Sequence, residues 1–122
     1  GGWMQCPEGH PVPRFLTPDE VSLIHRLLPE TTELSERLLK DLALAQVEDV
    51  GVVGFGGVVF LSSTTQVFGS DIATAMLADA DGVPVRVTLC LDNHDQLFEL
   101  ELCKVDFSPI IGVDLRSAFS EH

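Results

Sequence analysis

The segment "VPVRVTLCLDNHDQLFELELCKV" (residues 83–105) constrains the fold more than any other part of the chain. Val83, Val85, Val87, Leu89 and Leu91 alternate with Pro84, Arg86, Thr88 and Cys90. Beyond "DNHD", Phe98, Leu100 and Leu102 alternate with Glu99 and Glu101. A period of two places every second side chain on one face of a strand, so both arms read as half-buried strands joined by a polar turn. Matching apolar face to apolar face sets Leu91 opposite Gln96, Leu89 opposite Phe98 and Val87 opposite Leu100, with Arg86 against Glu101 and Thr88 against Glu99 on the other face. A one-residue slip would set Glu99 against Leu89, so only a bulge can move this register. Cys103 then falls opposite Pro84, roughly 20 Å from Cys90 at strand rise and too far for a disulfide. The acidic turns "DADG" and "DNHD" sit at opposite ends of one strand, about 30 Å apart, so Asp79, Asp81, Asp92 and Asp95 cannot share a metal ion.

Upstream, "TPDE" starts a helix, with Thr17 as N-cap, Pro18 at the first helical position and Glu20 closing a capping box. Val21, Ile24, Leu27 and Leu28 form its apolar stripe and Pro29 ends it. A second helix, capped near Thr31 or Thr32, buries Leu34, Leu38, Leu39, Leu42 and Ala45, and the short link between the two implies an αα-hairpin. Strands follow: "VEDVGVV", "VVFLSS", "SDIATAMLAD" and the two arms of the hairpin. The expected architecture is α+β, an N-terminal αα-hairpin packed on one face of a roughly five-stranded antiparallel meander. Residues 1–16 read as a proline-rich extended arm and 17–122 as a single domain, with Met4 a candidate natural start that would leave residues 1–3 foreign to the chain.

The stretch "GVVGFGGVVF" (residues 51–60) invites a phosphate-loop reading and fails it. A P-loop needs GxxxxGK[ST] ahead of a helix, yet no lysine lies between Lys40 and Lys104. A dinucleotide fingerprint needs a third glycine where Val59 stands. The residues suit a hairpin in which Val52 and Val53 mirror Val58 and Val59, with Phe55–Gly56 at the tip. An apolar Phe55 at an apex is a candidate partner contact if it stays exposed.

Seven basic residues against 19 acidic ones give a net charge of −12. Such a surface repels phosphate backbones and argues against nucleic acid, while leaving basic proteins as partners. No apolar run approaches a membrane span, and no secretory signal is visible; three cysteines suit a reducing cytoplasm. "DADG" lacks the ligand pattern of a calcium loop. Cys6 and His10 in "CPEGH" make at most half a zinc site, with no second half in the chain. No cofactor or metal is expected. Cys90, Cys103 and Ser108 are candidate nucleophiles and His10, His25 and His94 candidate bases, but no spacing couples any pair. His94, flanked by carboxylates in "DNHD", suits a surface base or a pH-sensitive contact, and a polar hairpin tip explains the same residues. In "CKVDFSP", Lys104 and Asp106 flank a strand end, Phe107 is expected to enter the core, and Pro109 to stop the ladder. The functional version makes Glu101, Lys104 and Asp106 a charged cluster at a cleft mouth.

Arg14, Leu16, Thr17 and Glu20, then Asp81 and Gly82, Leu97 to Leu100 and Lys104 to Pro109 together give the chain a pattern that resembles an uncharacterised family of small bacterial α+β proteins. Two departures stand out: "VGFGG" replaces an acidic Asp-Gly-Gly-Met-Gly stretch, and Cys103 stands where an aromatic is common. The resemblance implies a fold and no reaction. Acidity, a mean hydropathy of +0.25 and a second sheet face that is only half polar point to a non-enzymatic interaction module. Such a module forms a homodimer or binds a basic protein, in its sharpest form as an immunity- or inhibitor-type protein. The alternative is a small-molecule binder or enzyme with a site between helices and sheet.

Overall fold

Residues 12–28 and 32–120 are described by the computed structural model. Two helices, α1 (Pro18–Leu27) and α2 (Glu33–Lys40), precede most of a six-stranded antiparallel sheet: β1 (Arg14–Phe15), β2 (Gln46–Val52), β3 (Phe55–Phe60), β4 (Phe68–Ala78), β5 (Pro84–Asp92) and β6 (Leu97–Lys104). The fold is α+β, as expected. The strand order β1-β2-β3-β6-β5-β4 is not a simple meander of five. β6 inserts beside β3, so the β2–β3 hairpin and the β4–β5–β6 meander are joined through their last strands. A sixth, two-residue strand pairs with the start of β2. The expected αα-hairpin link and the Cys6–His10 pair lie outside the described residues.

Local chemistry explains the helix ends. The Thr17 hydroxyl accepts from the Glu20 amide, and the Glu20 carboxylate accepts from the Thr17 amide, so the capping box forms in full. Arg14 then donates to both Glu20 and Asp49, tying β1, α1 and β2 together. Thr32 caps α2 by accepting from Ser35. α2 ends at Lys40, earlier than the apolar stripe suggested, and a 3-10 turn (Leu42–Leu44) buries Leu42 but leaves Leu44 exposed.

Leu23, Ile24, Leu27 and Leu28, with Leu38 and Leu42, join Val47, Val58, Phe60, Leu77, Val87, Leu89, Leu91 and Leu100 in one buried cluster. These sheet residues share one face, which is the covered face. The C-terminal segment helps to close it: Arg26 donates to the carbonyls of Leu115 (2.6 Å) and Ser117 (2.8 Å) and lies over the Phe119 ring, and the Ser120 amide donates to the Met76 carbonyl at 2.8 Å.

Both hairpin registers differ from expectation. Leu89 lies opposite Leu100, not Phe98, and Val87 opposite Leu102; Arg86 faces Cys103, Thr88 faces Glu101 and Cys90 faces Glu99. Two one-residue events cause this. The turn closes with the Asp92 amide donating to the Gln96 carbonyl, leaving three residues in the loop with Asp95 at φ +59. A bulge between Cys90 and Leu91 on one side and Leu97 to Glu99 on the other then adds a second residue. Two slips of one restore the parity from Glu99 onward, so Glu99 to Leu102 keep their expected faces, whereas Leu97 takes the core-facing place opposite Leu91 that the alternation gave to Gln96.

In the β2–β3 hairpin Val52 pairs with Phe55, so the tip is Val53–Gly54 with Gly54 at φ +83. A β-carbon at Gly54 would lie 2.8 Å from the Phe107 carbonyl oxygen, and one at Gly57 only 2.0 Å from that of Leu100. The glycines serve close backbone approach as much as the turn itself.

Candidate functional site

Each strand of the central sheet presents alternate residues to the face that the helices do not cover, and the registers align them in crosswise rows. One row runs Val52, Phe55, Cys103, Arg86, Met76 from β2 to β4. The next runs Val50, Gly57, Glu101, Thr88, Thr74, and the third Glu48, Val59, Glu99, Cys90, Asp71. Apolar side chains, with Arg86 among them, therefore gather at one end and carboxylates toward the other.

Phe107 lies beside the apolar row. It follows β6 in a turn closed by its own amide donating to the Lys104 carbonyl at 2.9 Å, while the Lys104 amide donates to the Gly54 carbonyl at 2.9 Å. Its backbone is left-handed, φ +61, an uncommon conformation for a bulky residue and one that persists only where surroundings impose it. The ring does not enter the core, as the sequence suggested. It is 59% exposed and stacks on Phe55, itself 37% exposed, at a centroid distance of 5.8 Å. The tight packing of Gly54 beneath the Phe107 backbone leaves the ring directed outward. Val52, opposite Phe55, and Val53 at the hairpin tip are also exposed.

Beneath this end lies the charge centre that the sequence hinted at, with different members. Lys104 is fully buried and donates to Asp79 Oδ2 (2.7 Å), Asp81 Oδ2 (2.7 Å) and the Pro109 carbonyl (2.9 Å). Asp79 also accepts from the amides of Ala80 (2.7 Å), Ile111 (2.8 Å) and Gly112 (2.7 Å). Burial alone would push the Asp79 carboxyl up. The Lys104 ammonium and the backbone donors outweigh burial and hold it well below the usual carboxylate range. Lys104 and Asp79 thus spend their hydrogen-bonding capacity on each other and on the strap at Pro109 to Gly112, which makes this a structural pin rather than a reactive centre. Asp106 stands apart, accepting from the Ser108 amide and hydroxyl, and Glu101 lies on the opposite face of the sheet from the Lys104 side chain. The expected cleft-mouth cluster of Glu101, Lys104 and Asp106 does not form.

The candidate nucleophiles donate to carboxylates or a carbonyl. Cys90 is buried, donates to Asp71 Oδ1 at 3.1 Å, and burial together with Asp71 pushes its thiol up to about 12. Cys103 is also buried and both thiols are free. Ser108 donates to Asp106 at 2.6 Å instead of to a histidine. His94 is exposed in the β5–β6 turn, at the far end of β5 and β6 from Phe107. That turn is organised by the buried Asp92, which accepts from the amides of His94 (2.7 Å) and Gln96 (3.0 Å) and from the Gln66 side chain (2.8 Å). Nothing in the sequence marked Phe107 as a surface residue. Its exposure follows from a left-handed turn that is set by a glycine more than fifty residues away.

The acidic rows have Arg86 in the neighbouring row of the same face but, among the described residues, form no ion pair with it. Burial, then Glu101 and Asp71, raise the Glu99 carboxyl above its ordinary value. Among the described residues none of Glu48, Asp71, Glu99 or Glu101 is ion-paired.

A family model, the domain of unknown function DUF6984, matches residues 13–114. The chain belongs to this family. No curated protein and no solved structure matches the chain. The DUF6984 match takes in both helices, all six strands, Phe55, Phe107 and the Lys104 pin. Among the described residues no helix is long and apolar enough to cross a membrane.

Proposed function

We propose that the chain is a non-enzymatic interaction module that binds a basic protein through the uncovered sheet face, with Phe55 and Phe107 as its apolar anchor. One observation carries this reading: an outward-facing aromatic pair, with Phe107 held on a left-handed backbone, lies beside rows of carboxylates that among the described residues form no ion pair, not even with Arg86 in the neighbouring row. Interfaces draw most of their affinity from a few rigid aromatic anchors, and complementary charge supplies steering and specificity. Burial raises Glu99 most, and a basic partner would offset the further repulsion from Glu101 and Asp71. Two copies meeting through this face would set acid row against acid row, which favours the basic partner over a homodimer. Glu101 and Asp106 belong to the acidic surround, whereas buried Lys104 supports the face from behind. An immunity- or inhibitor-type role toward a basic protein is the sharpest form of the idea.

Light scattering should give a monomer mass. Capture of a basic protein should weaken steeply as salt rises and disappear in the Phe55→Ser, Phe107→Gly double variant. A captured partner indifferent to both salt and the double variant would remove this reading.

A further inference from the structure

A second concavity lies away from the aromatic end. It is a cavity of about 330 Å³ between the C-terminal end of α2 and the covered side of the sheet. Its floor is apolar, formed by Leu38, Phe60 and Leu97, and its rim carries Arg37, Asp41 and Gln66. Arg37 lies in the last turn of α2 and Asp41 is the residue that caps its C-terminus. Among the described residues they form no ion pair with each other. Arg37 Nη2 instead donates to the Asp95 carbonyl at 2.6 Å, which anchors the guanidinium to the β5–β6 turn, and among the described residues its other N–H groups take no further acceptor. Gln66 Nε2 donates to both Asp92 Oδ2 (2.8 Å) and the Leu97 carbonyl (3.2 Å). With its amide hydrogens used, Gln66 can offer the cavity only its carbonyl oxygen, a fixed acceptor.

An apolar floor under one cationic and one anionic rim group selects a particular ligand chemistry. A simple anion would meet Asp41, and a simple cation would meet Arg37. A compact zwitterion satisfies both, and an aliphatic side chain fills the floor. The volume falls at the small end of ligand pockets, which run from about 300 to 1,000 Å³. We propose that this cavity binds a free α-amino acid with an aliphatic side chain, its carboxylate on Arg37, its ammonium on Asp41 and the Gln66 carbonyl oxygen, and its side chain over Leu38, Phe60 and Leu97. The site is separate from the aromatic face, so either proposal can fail alone.

Calorimetric titration of the full chain with L-leucine tests it, with L-leucine methyl ester and N-acetyl-L-leucine as the comparison probes. Leucine should bind saturably, and each blocked derivative should bind at least about tenfold more weakly, the loss expected when one charged hydrogen-bonding partner is removed. Arg37→Gln and Asp41→Asn, both on the exposed rim, should each weaken leucine by a similar factor with unchanged thermal midpoints. Arg37→Gln should also abolish the discrimination against the ester. Phe107→Gly should leave leucine binding untouched. Absence of saturable leucine binding, or blocked derivatives that bind as tightly as leucine, would overturn the proposal.

Discussion

At position 107 glycine should give a more stable protein than alanine, the reverse of the usual order. Phe107 sits at φ +61, where a β-carbon crowds the following carbonyl at a cost of about 1–2 kcal/mol. Phe107→Ala and Phe107→Gly both remove the ring and its stack on Phe55, so that loss, about 0.5–1.5 kcal/mol, cancels between them. Alanine keeps the left-handed penalty. Glycine escapes it but loses about 0.5–1 kcal/mol through greater freedom in the unfolded chain. The balance favours glycine by roughly 0.5–1 kcal/mol. With a urea m-value of about 1–3 kcal/mol per molar, the glycine variant should unfold at a midpoint about 0.2–1 M higher than the alanine variant. Glycine at 107 should also keep stability close to that of the parent chain while removing the exposed anchor, which separates folding from partner binding. An alanine variant whose midpoint equals or exceeds that of the glycine variant would show that the backbone at 107 is not held left-handed. The account of an imposed, outward-facing ring would fail with it.

Two further outcomes follow from the buried ionisable groups. Asp79 and Asp81 have carboxyls held below the unfolded value of about 3.9, so the unfolded state binds more protons and the stability they contribute, present above about pH 4, is lost as pH falls further. Asp79→Asn should flatten the acid limb of a stability-versus-pH curve and Lys104→Met, which strands a buried carboxylate, should lower the thermal midpoint sharply; an acid limb that Asp79→Asn leaves unchanged would contradict the pin. Cys90 moves the other way: its thiol, pushed up to about 12 in the fold, keeps its proton where the unfolded chain loses it, so stability should decline as pH rises from about 9. Cys90→Ala should remove part of that decline, and rapid labelling of Cys90 by a thiol reagent in the native protein at pH 8 would show that it is not buried.

The local signals in this chain were strong where neighbouring residues decide the outcome. Thr17, Pro18 and Glu20 specify a helix start because a capping box is made of backbone and side chains three residues apart. The alternation in β5, and in β6 from Glu99 onward, assigned side chains to their faces, since strand period is a property of the chain itself. Register was less legible. It depended on a three-residue turn with Asp95 left-handed and on a bulge near Leu97 to Glu99, and each moves the pairing by one without altering the pattern of apolar residues. The expectation that Leu89 faces Phe98 was therefore two residues off, correct about inside and outside from Glu99 onward and wrong at Leu97, which faces the core opposite Leu91.

What the sequence determined alone was an acidic α+β domain with two capped helices, alternating strands and no phosphate-binding loop, because composition, caps and periodicity act over a few residues. Tertiary structure decided the rest. It inserted β6 beside β3, brought Asp79 and Asp81 onto Lys104 across more than twenty residues of chain, and turned Phe107 outward against Phe55 over the backbone of Gly54. These arrangements rest on which strand edges meet and how closely two backbones can approach. Distances of that kind are fixed only when the whole core has packed.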